Sequence, residues 1–203
     1  MLHSKAVLWL SGVILGFLIL SALRIGVADL LSNVIKDELS DLIVPVDEIA
    51  GELKLLKLIS PANPDLYESL ARVALIKSAQ PALRDQQLTL ALDAICQSIR
   101  LRPVSPYSWA TLLLIKRERH EYDEQFRQAL ERATTLGPWE PAVQLVVNDA
   151  GLSAWPLLPL PDQKRVEENM VRGMKRQAAQ ILAQVQSHIK DCRPASESSL
   201  CPK

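Results

Sequence analysis

Residues 102–145, RPVSPYSWATLLLIKRERHEYDEQFRQALERATTLGPWEPAVQL, decide the fold. They read as a helix, a short turn, a second helix and then a proline that opens the next unit. Three predicted helix starts share one punctuation: Asn63-Pro64, Ser105-Pro106 and Glu140-Pro141. Asn and Ser cap a helix because a side-chain oxygen accepts a bond from an orphan backbone N–H. Proline at the first helical position loses nothing, since its missing donor would be unpaired there anyway. An aromatic follows the proline by three residues twice, at Tyr67 and Trp109, on the side of the helix core. Recurrence at a few tens of residues marks an array of helical hairpins.

The tetratricopeptide pattern asks for a Trp opening helix A, a Tyr or Phe opening helix B, small residues at the crossing and a closing proline. Trp109, Leu112, Tyr122, Ala133 and Pro138 fill those roles, with one extra residue inside helix B. An earlier unit lies on Tyr67, Leu88, Ala91, Ser98 and Pro103, with a longer loop at residues 80–84. A third begins at Pro141, cut short by Gly151 and the Pro-rich segment 155–161. Leu113 stands where glycine is usual, so the repeats are degenerate.

Hydrophobic spacing predicts helices independently of that template. Phe126, Ala129, Leu130, Ala133 and Leu136 step by three and four, as do Leu88, Leu92, Ile95 and Ile99. Val166, Met170, Met174, Ala178, Ile181, Val185 and Ile189 mark a last helix over about 162–190. No alternating strand pattern occurs, so the fold is expected to be all-α. The predicted order is a transmembrane anchor at 1–26, an amphipathic helical linker at 27–60, TPR-like hairpins with the long final helix at 61–190, and a flexible polar tail at 191–203.

The anchor rests on residues 6–23, AVLWLSGVILGFLILSAL, an uncharged run between Lys5 and Arg24. About twenty such residues cross a ~30 Å hydrocarbon core. A cleaved signal peptide is the rival, with Gly26-Val27-Ala28 as a cleavage site. Signal cores are usually about 7–15 residues, so the length favours an uncleaved anchor. Lys5 and the α-amine place the short flank in the cytoplasm and the domain outside it. In the linker Ile35, Leu39, Leu42, Val46, Ile49, Leu53 and Leu56 keep a heptad phase. Such a seam can pair two chains into a homodimer, or pack on its own repeat domain, and Pro45 would kink it in either case.

The chain has 23 basic and 23 acidic residues, so no net field would draw in nucleic acid. The run from Lys116 to His120 sits at a helix end, where cations suit the dipole. Cys192 and Cys201 bracket a polar tail that could close a disulfide in an oxidising compartment, while Cys96 shares the core face of Leu92 and Ile99. His188, Cys192 and Cys201 are too few for structural zinc, so no metal is expected, and no cofactor fingerprint occurs. Glu118, Glu121 and Glu124 could be imagined as acid–base carboxylates, but with Arg119, Tyr122 and Arg127 beside them they read as a salt-bridged face. No catalytic constellation emerges.

Tyr107, Trp109, Tyr122, Trp139 and Trp155 are the candidate contact residues for a partner protein or a glycan. A Trp139/Trp155 platform could stack on sugar rings. Alternatively Trp109 is hairpin core and Trp139 a plug between units.

The strings Arg102-Pro103-x-x-Pro106-Tyr107-x-Trp109-Ala110-x-Leu112, Glu121-Tyr122-Asp123 and Leu136-Gly137-Pro138-Trp139-Glu140-Pro141-Ala142-Val143-Gln144 resemble the VpsP-type polysaccharide biosynthesis proteins. The resemblance covers roughly residues 63–184. It implies one N-terminal anchor, a small TPR-like domain and an accessory role in bacterial exopolysaccharide or biofilm-matrix machinery. Under it the expected partners are synthesis and export proteins at the inner membrane, and the domain is periplasmic. It carries no catalytic residues across.

Overall fold

The computed structural model describes residues 2–41 and 46–192. Among them the chain is all-helical, with eight α-helices and no strand. These are α1 (Leu2–Asp41), α2 (Val46–Ile59), α3 (Pro64–Lys77), α4 (Arg84–Leu101), α5 (Pro106–Glu118), α6 (Glu124–Leu136), α7 (Pro141–Ser153) and α8 (Leu160–Cys192). Short 3₁₀ turns precede α4 and α8. Pro45, expected to kink the second segment, lies outside the described residues, as do residues 193–203 with Cys201; the first two residues of the expected tail, Asp191 and Cys192, end α8 instead.

Each of the three punctuated starts is a helix N-terminus. The Asn63 side chain accepts from the Asp65 N–H, and Ser105 from the Ser108 N–H. Glu140 makes no such cap; its carboxylate instead takes the Tyr107 hydroxyl at 2.5 Å. A second device recurs with them. Tyr67 Oη donates to the Pro61 carbonyl at 2.9 Å, Trp109 Nε1 to Pro103 at 2.8 Å and Gln144 Nε2 to Pro138 at 2.8 Å. In each unit a proline opens the loop, a second opens the helix, and the side chain three residues on reaches back. The bond satisfies a loop carbonyl that no helix would pair.

The helices stack as antiparallel hairpins α3–α4, α5–α6 and α7–α8, with α5 against both α3 and α7. Small buried side chains let the helices approach: Ala71, Ala74, Ala91, Ala129 and Ala133 share one core with Trp109, Leu112, Leu113, Ile115 and Phe126. A buried polar knot ties the first two hairpins. Ser108 Oγ donates to Glu68 at 3.2 Å, Ser98 lies 3.2 Å from Ser108, and Arg102 reaches Asp65 at 2.7 Å.

The seam of the linker packs on its own domain. Ile35, Ile49, Leu53 and Leu56 are buried with Leu66 and Val73 in a second core between α1, α2 and α3. The expected boundary at residue 26 is not a break, because α1 runs through it to Asp41. Ser32, on that helix, accepts from Asn63 Nδ2 at 2.9 Å, which pins α1 to the α2–α3 loop.

Two expectations for the third unit change. Gly151 does not cut the hairpin short; it lies inside α7, where a Cβ would sit 2.5 Å from Val166 Cγ2 of α8. The long helix is the second arm of this hairpin, and it is not straight. Gln177 has φ −141° and ψ 44°, a kink whose amide bonds Pro141 O at 3.0 Å. Gly173, also without room for a Cβ, lets Ile181 fold back over it. The inward line becomes Val166, Asn169, Gly173, Gln177 and Ile181, while Met174 and Ile189 of the expected stripe face outward.

Candidate functional site

The five aromatics separate by place. Trp109 is core, 8% exposed. Tyr122 sits in the α5–α6 turn, partly buried, edge-on to Phe126 with ring centroids 5.2 Å apart. Trp155 follows α7 and packs partly buried against the main core. Tyr107 and Trp139 are the exposed pair, at 39% and 52%, and they belong together. Glu140, next to Trp139, takes the Tyr107 hydroxyl, and Pro106 Cβ lies 2.7 Å from where a Gly137 Cβ would be. The platform of Trp139 with Trp155 does not form, since the two flank opposite ends of α7, about 20 Å apart at 1.5 Å per residue.

The carboxylates near the α5–α6 turn are held by cations. Glu118 bonds Arg84 at 2.8 Å and also meets Arg117; Glu121 bonds Lys116 at 2.6 Å and Arg119 at 2.7 Å; Glu124 meets Arg127 at 2.9 Å. Burial alone would raise the Glu118 carboxyl, but the bonds from Arg117 and Arg84 outweigh it and hold it below its ordinary value. The Lys116 bond, opposed by some burial, lowers Glu121 likewise. A general acid needs the opposite shift. Lys116 is 3% exposed, so the first residue of the basic run is a buried ion-pair centre and not a solvated charge. Its ammonium also bonds Asp123 at 2.6 Å, the residue that caps α6. Burial would lower Lys116, and the two carboxylates overcome it and raise it. His120 takes φ 55° to close the same turn, a backbone role.

Two surfaces remain open. An apolar groove of about 430 Å³ runs between α3 and α4, lined by Tyr67, Leu70, Ala74, Leu90 and Ala94 with Lys77 and Asp93 at its polar margin. The loops preceding α3, α5 and α7 form the other, with Val104 and Trp139 in equivalent positions between the two prolines of their units. The sequence signal for that surface was the repeated Pro-x-x-Pro at 61/64, 103/106 and 138/141, whose second residue points into solvent each time. No group of His, Cys, Asp and Glu able to hold a metal occurs among the described residues. One helix there, Gly12–Ile35 within α1, is long and apolar enough to cross a membrane, and it is almost wholly exposed. Compared with known families, curated proteins and solved structures, the chain matches none.

Proposed function

We propose that this chain is a non-catalytic, membrane-anchored scaffold that docks proteins of bacterial exopolysaccharide synthesis or export through TPR-like hairpins. The observation that carries the reading is the groove between α3 and α4, apolar yet open, on a hairpin that α1 holds beside a membrane span. In a stacked array each hairpin normally buries such a face against its neighbour; here α2 packs on α3 and leaves the α4 side of the groove uncovered. The unit starts at Pro64, Pro106 and Pro141 support a tetratricopeptide-like ancestry, the second spacing of 35 residues lying close to the roughly 34-residue repeat and the first, of 42, exceeding it. Positive charge on the short N-terminal flank supports an inner-membrane orientation with the domain in the periplasm. Anchoring would raise the effective concentration of the docking face near membrane-bound clients.

The test is in vivo crosslinking of the tagged full-length protein in its native membrane, with mass spectrometry of what co-purifies. Recovery of a polymerase, flippase or export component is expected from the parent and not from Leu90→Glu, with helicity by circular dichroism unchanged. Equal recovery from the charged variant would overturn the docking face, and recovery of self-crosslinks alone would overturn the client.

A further inference from the structure

Exposed apolar side chains stand on both ends of the hairpins, and those at the α2–α3, α4–α5 and α6–α7 loops form a row on the edge nearest α1. Leu58, at the end of α2, is 83% exposed; Val104 in the α4–α5 loop is 68% exposed, and Tyr107 and Trp139 continue the row. Side-chain contacts tie these loops together in sequence. Asn63 bonds Ser32, Arg102 bonds Asp65 at the start of α3, Tyr107 bonds Glu140, and Pro106 meets Gly137. The row therefore starts beside Ser32 of α1.

Ser32 marks a level along the candidate span. The charges that follow the apolar run are Arg24 and Asp29, and the next is Lys36. Between them Ile25, Val27, Leu30 and Val34 keep an exposed apolar side on α1. The candidate span ends at Ile35, three residues past Ser32, so Ser32 lies about 5 Å from the level at which this helix would leave the hydrocarbon, at 1.5 Å per residue. Tyr and Trp favour that boundary because one end of each is apolar and the other polar. Acidic groups on the edge are engaged, Asp65 by Arg102 and Glu140 by the Tyr107 hydroxyl. Lys57 and Arg100 stay exposed there, able to meet anionic headgroups.

We propose that the edge bearing Leu58, Val104, Tyr107 and Trp139 lies on the same bilayer that α1 enters, with these side chains at the boundary between headgroups and acyl chains. The inference rests on reading α1 as an anchor. It holds the domain against the membrane surface, and it leaves the opposite edge, with Leu157 and Leu160, facing away by the length of a 13-residue helix, about 20 Å.

The experiment uses full-length protein, its three cysteines changed to serine, in phosphatidylethanolamine and phosphatidylglycerol vesicles. A nitrobenzoxadiazole label is placed at Val104→Cys, at Trp139→Cys and, on the far edge, at Leu157→Cys. Vesicle flotation is measured on every sample, and nitroxide lipids labelled near the headgroup are the quencher. Several-fold stronger quenching at 104 and 139 than at 157 is expected in floating protein. Floating protein with quenching no stronger at 104 and 139 than at 157 overturns the surface contact and spares the anchor. Protein that does not float overturns both. Flotation with unchanged helicity by circular dichroism shows that the labelled chains are folded and inserted, and Val104→Cys covers the case in which loss of Trp139 disturbs its loop.

Discussion

Between α5 and α6 the interface is hydrocarbon; between α7 and α8 much of it is amide. Leu112, Leu113, Ile115, Phe126, Ala129 and Leu130 are all buried, and the polar Lys116 lies at the hairpin's end with two carboxylates in hand. In the last hairpin Asn169 Nδ2 donates to Gln144 O at 3.0 Å and to Asn148 Oδ1 at 2.7 Å. Gln177 and Gln184 bond the Pro141 and Leu145 carbonyls. Apolar contact is insensitive to direction, whereas a buried amide tolerates few partners, so it fixes how one helix sits on another. The middle hairpin supplies stability, and the last supplies a defined path for a long helix that packs on α7 and α6.

Truncating the hydrocarbon should do the most damage. Phe126→Ala removes a fully buried ring and its edge contact with Tyr122, and should cost about 3–5 kcal/mol in urea denaturation. Overfilling the last hairpin comes next. Gly151→Ala puts a methyl 2.5 Å from Val166 Cγ2 and should cost about 1–3 kcal/mol, with Val166→Ala restoring part of the loss in the double variant. Additive losses would show that the two helices move apart freely.

The amide network gives a smaller and more diagnostic effect. Asn169→Leu strands Asn148 Oδ1 and should fall at the lower end of about 1–3 kcal/mol. Changing Asn148 and Asn169 together to Leu should be milder than the single change, because no polar atom of the pair is then left behind. A double variant worse than either single would break the proposed division between stability and register.

The smallest effect belongs to the ion pairs of the middle hairpin. Glu121 and Asp123 are held below their ordinary values of 4.5 and 3.8, the first by its Lys116 bond; burial is the largest influence on the second and would raise it, but the bonds from Lys116 and the Phe126 N–H together outweigh it. Their stabilisation is present above those ordinary values and is lost as pH falls through the lower folded-state values. Lys116, raised above 10.5, contributes fully below 10.5 and loses that contribution as pH rises through its folded value. Lys116→Met should therefore cost about 1 kcal/mol at neutral pH, since the carboxylates are partly exposed, and should flatten the acid limb of a thermal-melt pH series.

Local signals were legible because they act over a few residues. Asn63, Ser105 and the three prolines fix helix starts through caps and missing donors, and the run at 6–23 is apolar enough to suit a membrane-crossing helix. The α8 stripe was misread at Met174 and Ile189 because an unbroken 3.6-residue period assumes a straight helix, and Gln177 bends it in response to Pro141, thirty-six residues away. The pairing of Trp139 with Trp155 failed for a related reason: closeness in sequence on either side of a helix becomes separation along its axis.

By itself, then, the sequence determined that the chain is helical, where three of its helices begin and that its first helix suits a membrane. Caps, proline geometry and apolar content are short-range properties carried by neighbouring residues. Only the tertiary structure decided that the linker seam folds onto α3, that Lys116 is buried, and that Leu58, Val104, Tyr107 and Trp139 share an edge beside Ser32. Those relations depend on how separate helices stack, and stacking is set by side-chain volumes and buried hydrogen bonds between residues far apart in the chain.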